Sequence, residues 1–72
     1  MIYFIQNKIT NNIKIGKSNN PLKRLNSLRT ACAEELVILK VIEGGIEEEK
    51  KLHKMFSDYR IRGEWFRDNE QI

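Results

Sequence analysis

Between Met1 and Ala33 the chain has no aspartate or glutamate, although Lys8, Lys14, Lys17, Lys23, Arg24 and Arg29 all fall there. That stretch carries +6, while residues 34–72 set seven Lys or Arg against ten acids and carry −3, giving the net +3. So one-sided a distribution suggests an anionic partner, phosphates first, and the competing reading is a solvated lysine-rich surface. Cysteine is nearly absent: Cys32 is alone, which excludes an internal disulfide and a metal held by cysteines only. Long apolar runs are missing too. None approaches the roughly 18 residues of a membrane span, and the N-terminus lacks a signal-peptide layout, so a cytoplasmic protein with no membrane partner is expected. A chain of 72 residues makes one small domain, 1–72, with a marginal core.

What is present reads as alternating strands and helices. "IYFIQ", residues 2–6, is an apolar run rich in β-formers, and the Asn-rich "NKITNN" that follows suits a hairpin loop. In "IKIG" the alternation sends Ile13 and Ile15 to a core and Lys14 to the other side, with the two strands pairing antiparallel. Asn20 is a good N-cap and Pro21 fits the first helical position. Leu22, Leu25 and Leu28 then mark one apolar stripe, with Arg24 beside it. "ELVILKVIE", residues 35–43, reads as a central strand buried on both faces, ended by Gly44-Gly45. A second helix over about 46–59 buries Leu52, Met55, Phe56 and Tyr59, with Glu49 and His53 stacked on the flank of that stripe. "RGEWF" turns at Gly63 into a short final strand. The expected fold is α+β: a small three-stranded, mainly antiparallel sheet flanked by helices, in the order β-β-α-β-α with that last strand appended.

The order Ile2-Tyr3, Lys14-Ile15-Gly16, Lys17 and then Arg24, followed by "EKKLHKMF" at 49–56 and "RGEWF" at 62–66, resembles the GIY-YIG nuclease superfamily, in a compact branch common in phage and bacterial genomes. The resemblance spans almost the whole chain. It implies a metal-dependent endonuclease acting on DNA with one divalent cation, Mg²⁺ or Mn²⁺. Tyr3 takes the place of the tyrosine near the attacking water, and Arg24 that of the helix arginine on the scissile phosphate. Lys17 matches a basic residue found after the glycine in some members, and Glu49 falls where a helix glutamate holds the metal. The second motif's tyrosine is Lys14 here, as in relatives where a lysine is a candidate for activating water. No clear counterpart of a C-terminal asparagine is found.

Chemistry supports these roles independently. Arg24 offers a forked pair of donors that a lysine cannot match at a phosphate. Mg²⁺ is commonly held by few protein ligands, so Glu49 alone would suffice as its anchor. Tyr and Lys both have unperturbed pKa values of about 10, so the choice of base between Tyr3 and Lys14 stays open. Gly16 would let a backbone approach closely, and Lys23 adds to the phosphate-facing wall. His53 reads either as structural or, from its spacing to Glu49, as sharing the metal or relaying a proton. Trp65 and Phe66 are expected in the core, and Glu64 as a turn carboxylate rather than a second metal ligand. The alternative function is a non-catalytic nucleic-acid-binding module of the same fold. RNA fits the same phosphate chemistry as DNA, and specificity is left to a second copy or a separate partner.

Overall fold

The computed structural model describes residues 1–31 and 35–72; Cys32, read above as a free thiol, lies outside them. The chain runs β1 (Ile2–Asn7), β2 (Ile13–Lys17), α1 (Pro21–Ala31), β3 (Leu36–Ile42), α2 (Ile46–Met55), a 3₁₀ turn (Ser57–Tyr59), β4 (Arg60–Arg62) and β5 (Trp65–Phe66). The strands form a single antiparallel sheet in the order β3-β1-β2-β5-β4. The α+β class stands, with five strands among the described residues where three were expected. Among the described residues, no helix is long and apolar enough to cross a membrane.

The central strand is β1, not the 35–43 segment. All six β1 residues are buried, whereas in β3 only Leu36 is buried and Leu39 to Ile42 are exposed. An apolar run shows that a strand can bury both faces, but neighbouring elements decide whether it does. Here α1 covers the start of β3 while α2 packs over β2, leaving the far end of β3 at the sheet edge. Strand β1 therefore divides the core. Tyr3 and Ile5 join Leu25, Leu28, Leu36, Ile38 and Trp65 on the α1 side. Ile2 and Phe4 join Ile13, Ile15, Leu52, Phe56, Tyr59 and Phe66 on the α2 side.

Local signals explain how these elements begin and end. Asn7 organises the β1–β2 hairpin, its Oδ1 accepting the Ile9 and Thr10 amides at 2.9 and 3.2 Å. Asn11 takes the left-handed φ of 64°, a conformation that asparagine tolerates. Asn20 caps α1 by accepting the Lys23 amide at 3.2 Å. Leu22 is 68% exposed, contrary to expectation: a three-residue repeat drifts around a helix, and the buried line is Pro21, Leu25, Leu28 instead. Met55, expected inside, is 64% exposed for the same angular reason, because α2 turns Leu52 and Phe56 to the sheet. This helix ends at Met55, short of 59, and the chain tightens into the 3₁₀ turn.

Candidate active site

The β1–β2 register sets Tyr3 opposite Gly16 and Ile5 opposite Lys14. Strand alternation then puts Tyr3, Lys14 and Gly16 on the α1 face, with Tyr3 and Lys14 diagonal to one another rather than directly paired. The Tyr3 ring occupies the space above Gly16. A Cβ added there would lie 2.5 Å from Tyr3 Cζ and closer still to the hydroxyl oxygen. The missing side chain, expected to admit a phosphate, instead seats this phenol.

Helix α1 brings Arg24 to the same place. Its guanidinium faces the Tyr3 hydroxyl, and this hydrogen-bonding neighbour is the main reason that Arg24 is held above its ordinary pKa. Glu64 adds a smaller attraction, and partial desolvation works the other way. Lys23, one residue earlier, is exposed and lines a polar groove of about 380 Å³ with Ser18, Asn19, Asn20, Arg24 and Ser27. Lys17 does not join this group, because it follows Gly16 and points from the opposite face of β2.

The residue that the sequence reading weighed as a metal ligand and set aside is Glu64. Gly63, at φ 58°, makes the tight turn between β4 and β5 and leaves Glu64 immediately before β5. The Ile15 amide donates to the Glu64 carbonyl at 3.0 Å, tying this turn to β2. Lys14 Nζ lies 3.1 Å from Glu64 Oε1, with the two side chains 12% and 36% exposed. Lys14 also reaches 5.5 Å from the Trp65 ring centre. Glu64 is a turn carboxylate as expected, and it is also the acid paired with Lys14. The signal available in sequence was its place between a turn glycine and a strand able to pair with "IKIG".

Helix α2 completes the arrangement from the other face of the sheet. Glu49, His53 and Glu64 each offer one ligand atom, and these atoms lie within 4.8 Å of one another. His53 Nε2 lies 2.8 Å from the Ile15 carbonyl. A carbonyl only accepts, so Nε2 carries the proton and Nδ1 keeps the lone pair in the neutral ring. The ring is also steadied against Phe66, with centroids 5.2 Å apart and planes tilted by 52°. Glu49 therefore does not stand alone: it comes from the face of the sheet opposite Tyr3 and Arg24 and meets Glu64, which also pairs with Lys14.

The resulting chain of groups runs from a guanidinium, past a phenol and an amine, to a carboxylate shared with a second carboxylate and an imidazole. One end suits an anion and the other suits a cation, which is the pair of needs a metal-assisted reaction at a phosphate imposes. The family model described as the T5orf172 domain matches residues 1–72. No curated protein and no solved structure matches the chain.

Proposed function

Because the chain belongs to the T5orf172 domain family, which is associated with endonuclease-type phage proteins, we propose that it is a metal-dependent endonuclease hydrolysing phosphodiester bonds in DNA. The observation that carries this reading is the Lys14–Glu64 ion pair at 3.1 Å, which joins the anion-binding half of the site to the cation-binding half. The donor set fits one divalent cation, with two carboxylates and an imidazole nitrogen converging. Bound by Glu49, His53 and Glu64, such a cation would supply charge relief at the phosphoryl oxygens and help for the leaving oxygen.

The chain's own residues do the rest. Arg24 binds the scissile phosphate with a forked pair of donors, and Lys23 holds a neighbouring phosphate along the groove. A water oxygen bonds to phosphorus as the bond to the leaving sugar oxygen breaks, and that oxygen takes up a proton from solvent water. Lys14, paired as an ammonium with Glu64, has no lone pair to offer. Tyr3 is buried, so it steadies Arg24 rather than meeting the attacking water, whose proton passes to solvent.

Supercoiled plasmid incubated with Mg²⁺ or Mn²⁺ tests the reading. Conversion to nicked circles by the native chain, lost in Arg24→Ala and Glu64→Gln, is the expected result. The second reading, a non-catalytic nucleic-acid-binding module, draws on Lys14 standing where the resemblance has a tyrosine. Salt-sensitive DNA binding with no cleavage under either metal would select it.

A further inference from the structure

We propose that Glu49, His53 and Glu64 form a mixed nitrogen–oxygen site that selects first-row transition cations, of the Fe²⁺ to Zn²⁺ class, over Mg²⁺. The inference takes its setting from the proposed nuclease site, but it is read out by binding alone.

Three observations support it. First, the three ligand atoms already lie within 4.8 Å of one another. Two metal–ligand bonds of about 2.1 Å meeting near a tetrahedral angle put their donors roughly 3.4 Å apart. The three residues are half-buried rather than locked, and side-chain rotations of about an ångström close that gap.

Second, His53 is oriented for the task. Its Nε2–H is taken by the Ile15 carbonyl at 2.8 Å, and its ring rests on Phe66. A ligating histidine usually gives its other N–H to a carbonyl or carboxylate, which fixes the tautomer and raises the basicity of the free nitrogen. The carbonyl that holds His53 belongs to the same residue whose amide holds the Glu64 backbone at 3.0 Å, so Ile15 fixes two of the three ligands relative to each other.

Third, the donor types discriminate. Imidazole nitrogen suits Fe²⁺, Ni²⁺, Cu²⁺ and Zn²⁺, with Co²⁺ between Fe²⁺ and Ni²⁺ in affinity, whereas Mg²⁺ prefers oxygen, keeps several waters and demands near-octahedral geometry. Lys14 occupies Glu64 Oε1 and offsets part of the acidic charge at the site. That disfavours a cation held by electrostatics alone. A carboxylate has two oxygens, so Glu64 can keep Lys14 on one and offer the other.

The experiment is a metal titration of the full chain in a Cys32→Ser background, which removes the one thiol. Co²⁺ binding is followed by its visible absorption, and Zn²⁺ and Mg²⁺ are measured by competition against Co²⁺. The native site should bind Co²⁺ and Zn²⁺ at least about tenfold more tightly than Mg²⁺. His53→Gln should erase that preference while leaving Mg²⁺ binding within about twofold, since only oxygen donors remain. Glu49→Gln, which leaves the His53–Ile15 contact untouched, should weaken Co²⁺ and Mg²⁺ alike, and this covers the case in which His53→Gln perturbs folding. Equal affinity for Zn²⁺ and Mg²⁺, or a Glu49→Gln variant with native Co²⁺ binding, would overturn the proposal. Selective binding without DNA cleavage supports it and removes the nuclease reading. Cleavage with Mg²⁺ and no selectivity does the reverse.

Discussion

The ring of Tyr3 lies where any side chain at residue 16 would have to stand. Tyr3 is 1% exposed and cannot swing into solvent without opening the core beneath α1. Gly16→Ala should therefore cost about 1–3 kcal/mol through overpacking, and it should shift the hydroxyl that Arg24 faces. Urea denaturation measures the first effect. Adding Tyr3→Phe removes the nearest clashing atom, so the double variant should recover part of the lost stability while remaining inactive on plasmid.

Lys14 and Glu64 give a test that separates folding from chemistry. With Glu64 36% exposed, solvent screens the pair, and breaking it should cost no more than about 1 kcal/mol. Glu64→Gln should consequently melt within a few degrees of the native chain yet lose nicking. A large drop in melting temperature would recast Glu64 as a structural anchor.

At Arg24, charge and shape can be told apart. Loss of one donor to a developing charge typically lowers a rate by about 10²–10³, so Arg24→Ala should fall in that range. Arg24→Lys should restore DNA binding but only part of the rate, because a single ammonium cannot make two parallel bonds to phosphate. The raised pKa of Arg24 works in the same direction. Its stabilising contact is complete below the ordinary arginine value and is withdrawn only as pH climbs through the raised one. Any pH dependence of cleavage near neutrality must therefore come from a group other than Arg24, and pH–rate profiles of the native chain and of Arg24→Lys should share one midpoint there.

Glu48 links acid conditions to the helix that carries Glu49 and His53. Its carboxylate accepts the Gly45 amide at 2.9 Å across the start of α2, and that backbone hydrogen bond is the main cause of its lowered pKa. The contribution is fully present above the ordinary glutamate value and disappears as pH falls through the lowered one. Far-UV circular dichroism should show an acid-side loss of helix in the native chain that is blunted in Glu48→Ala. The same variant should bind Co²⁺ more weakly, since α2 carries Glu49 and His53.

Phosphate contacts away from the scissile bond should appear as salt dependence. Lys23→Gln should reduce the slope of log affinity against log salt by about one ion, uniformly across DNA sequences. An unchanged slope would place the DNA backbone outside the groove that Lys23 lines.

Local features of this fold were legible in the sequence and relational ones were not. The Asn20–Pro21 helix start, the Ile13/Ile15 alternation and the stacking of Glu49 with His53 depend on residues a few positions apart, and all three stand in the structure. Which strand lies at the centre depends on what covers each face, and β1 and β3 look equally apolar as strings. β4 is invisible for a related reason: Arg60, Ile61 and Arg62 are all exposed, so no burial pattern marks them as a strand. The pairing of Glu64 was not legible because it comes from Lys14, some fifty residues away, and from a glycine turn whose geometry the composition does not announce.

Strand β3 leaves the sheet with one long open margin, and Val41 and Ile42 stand 40% and 38% exposed along it. Such a margin is a template on which another extended segment can be laid. The charge in mid-strand that would repel a newcomer is Lys40, but its ammonium is folded inward, 4.6 Å from the centre of the Phe4 ring and 3.3 Å from the Ile72 carbonyl. With that charge turned inward, the margin offers little to repel a second copy, so self-association through β3 should grow with protein concentration.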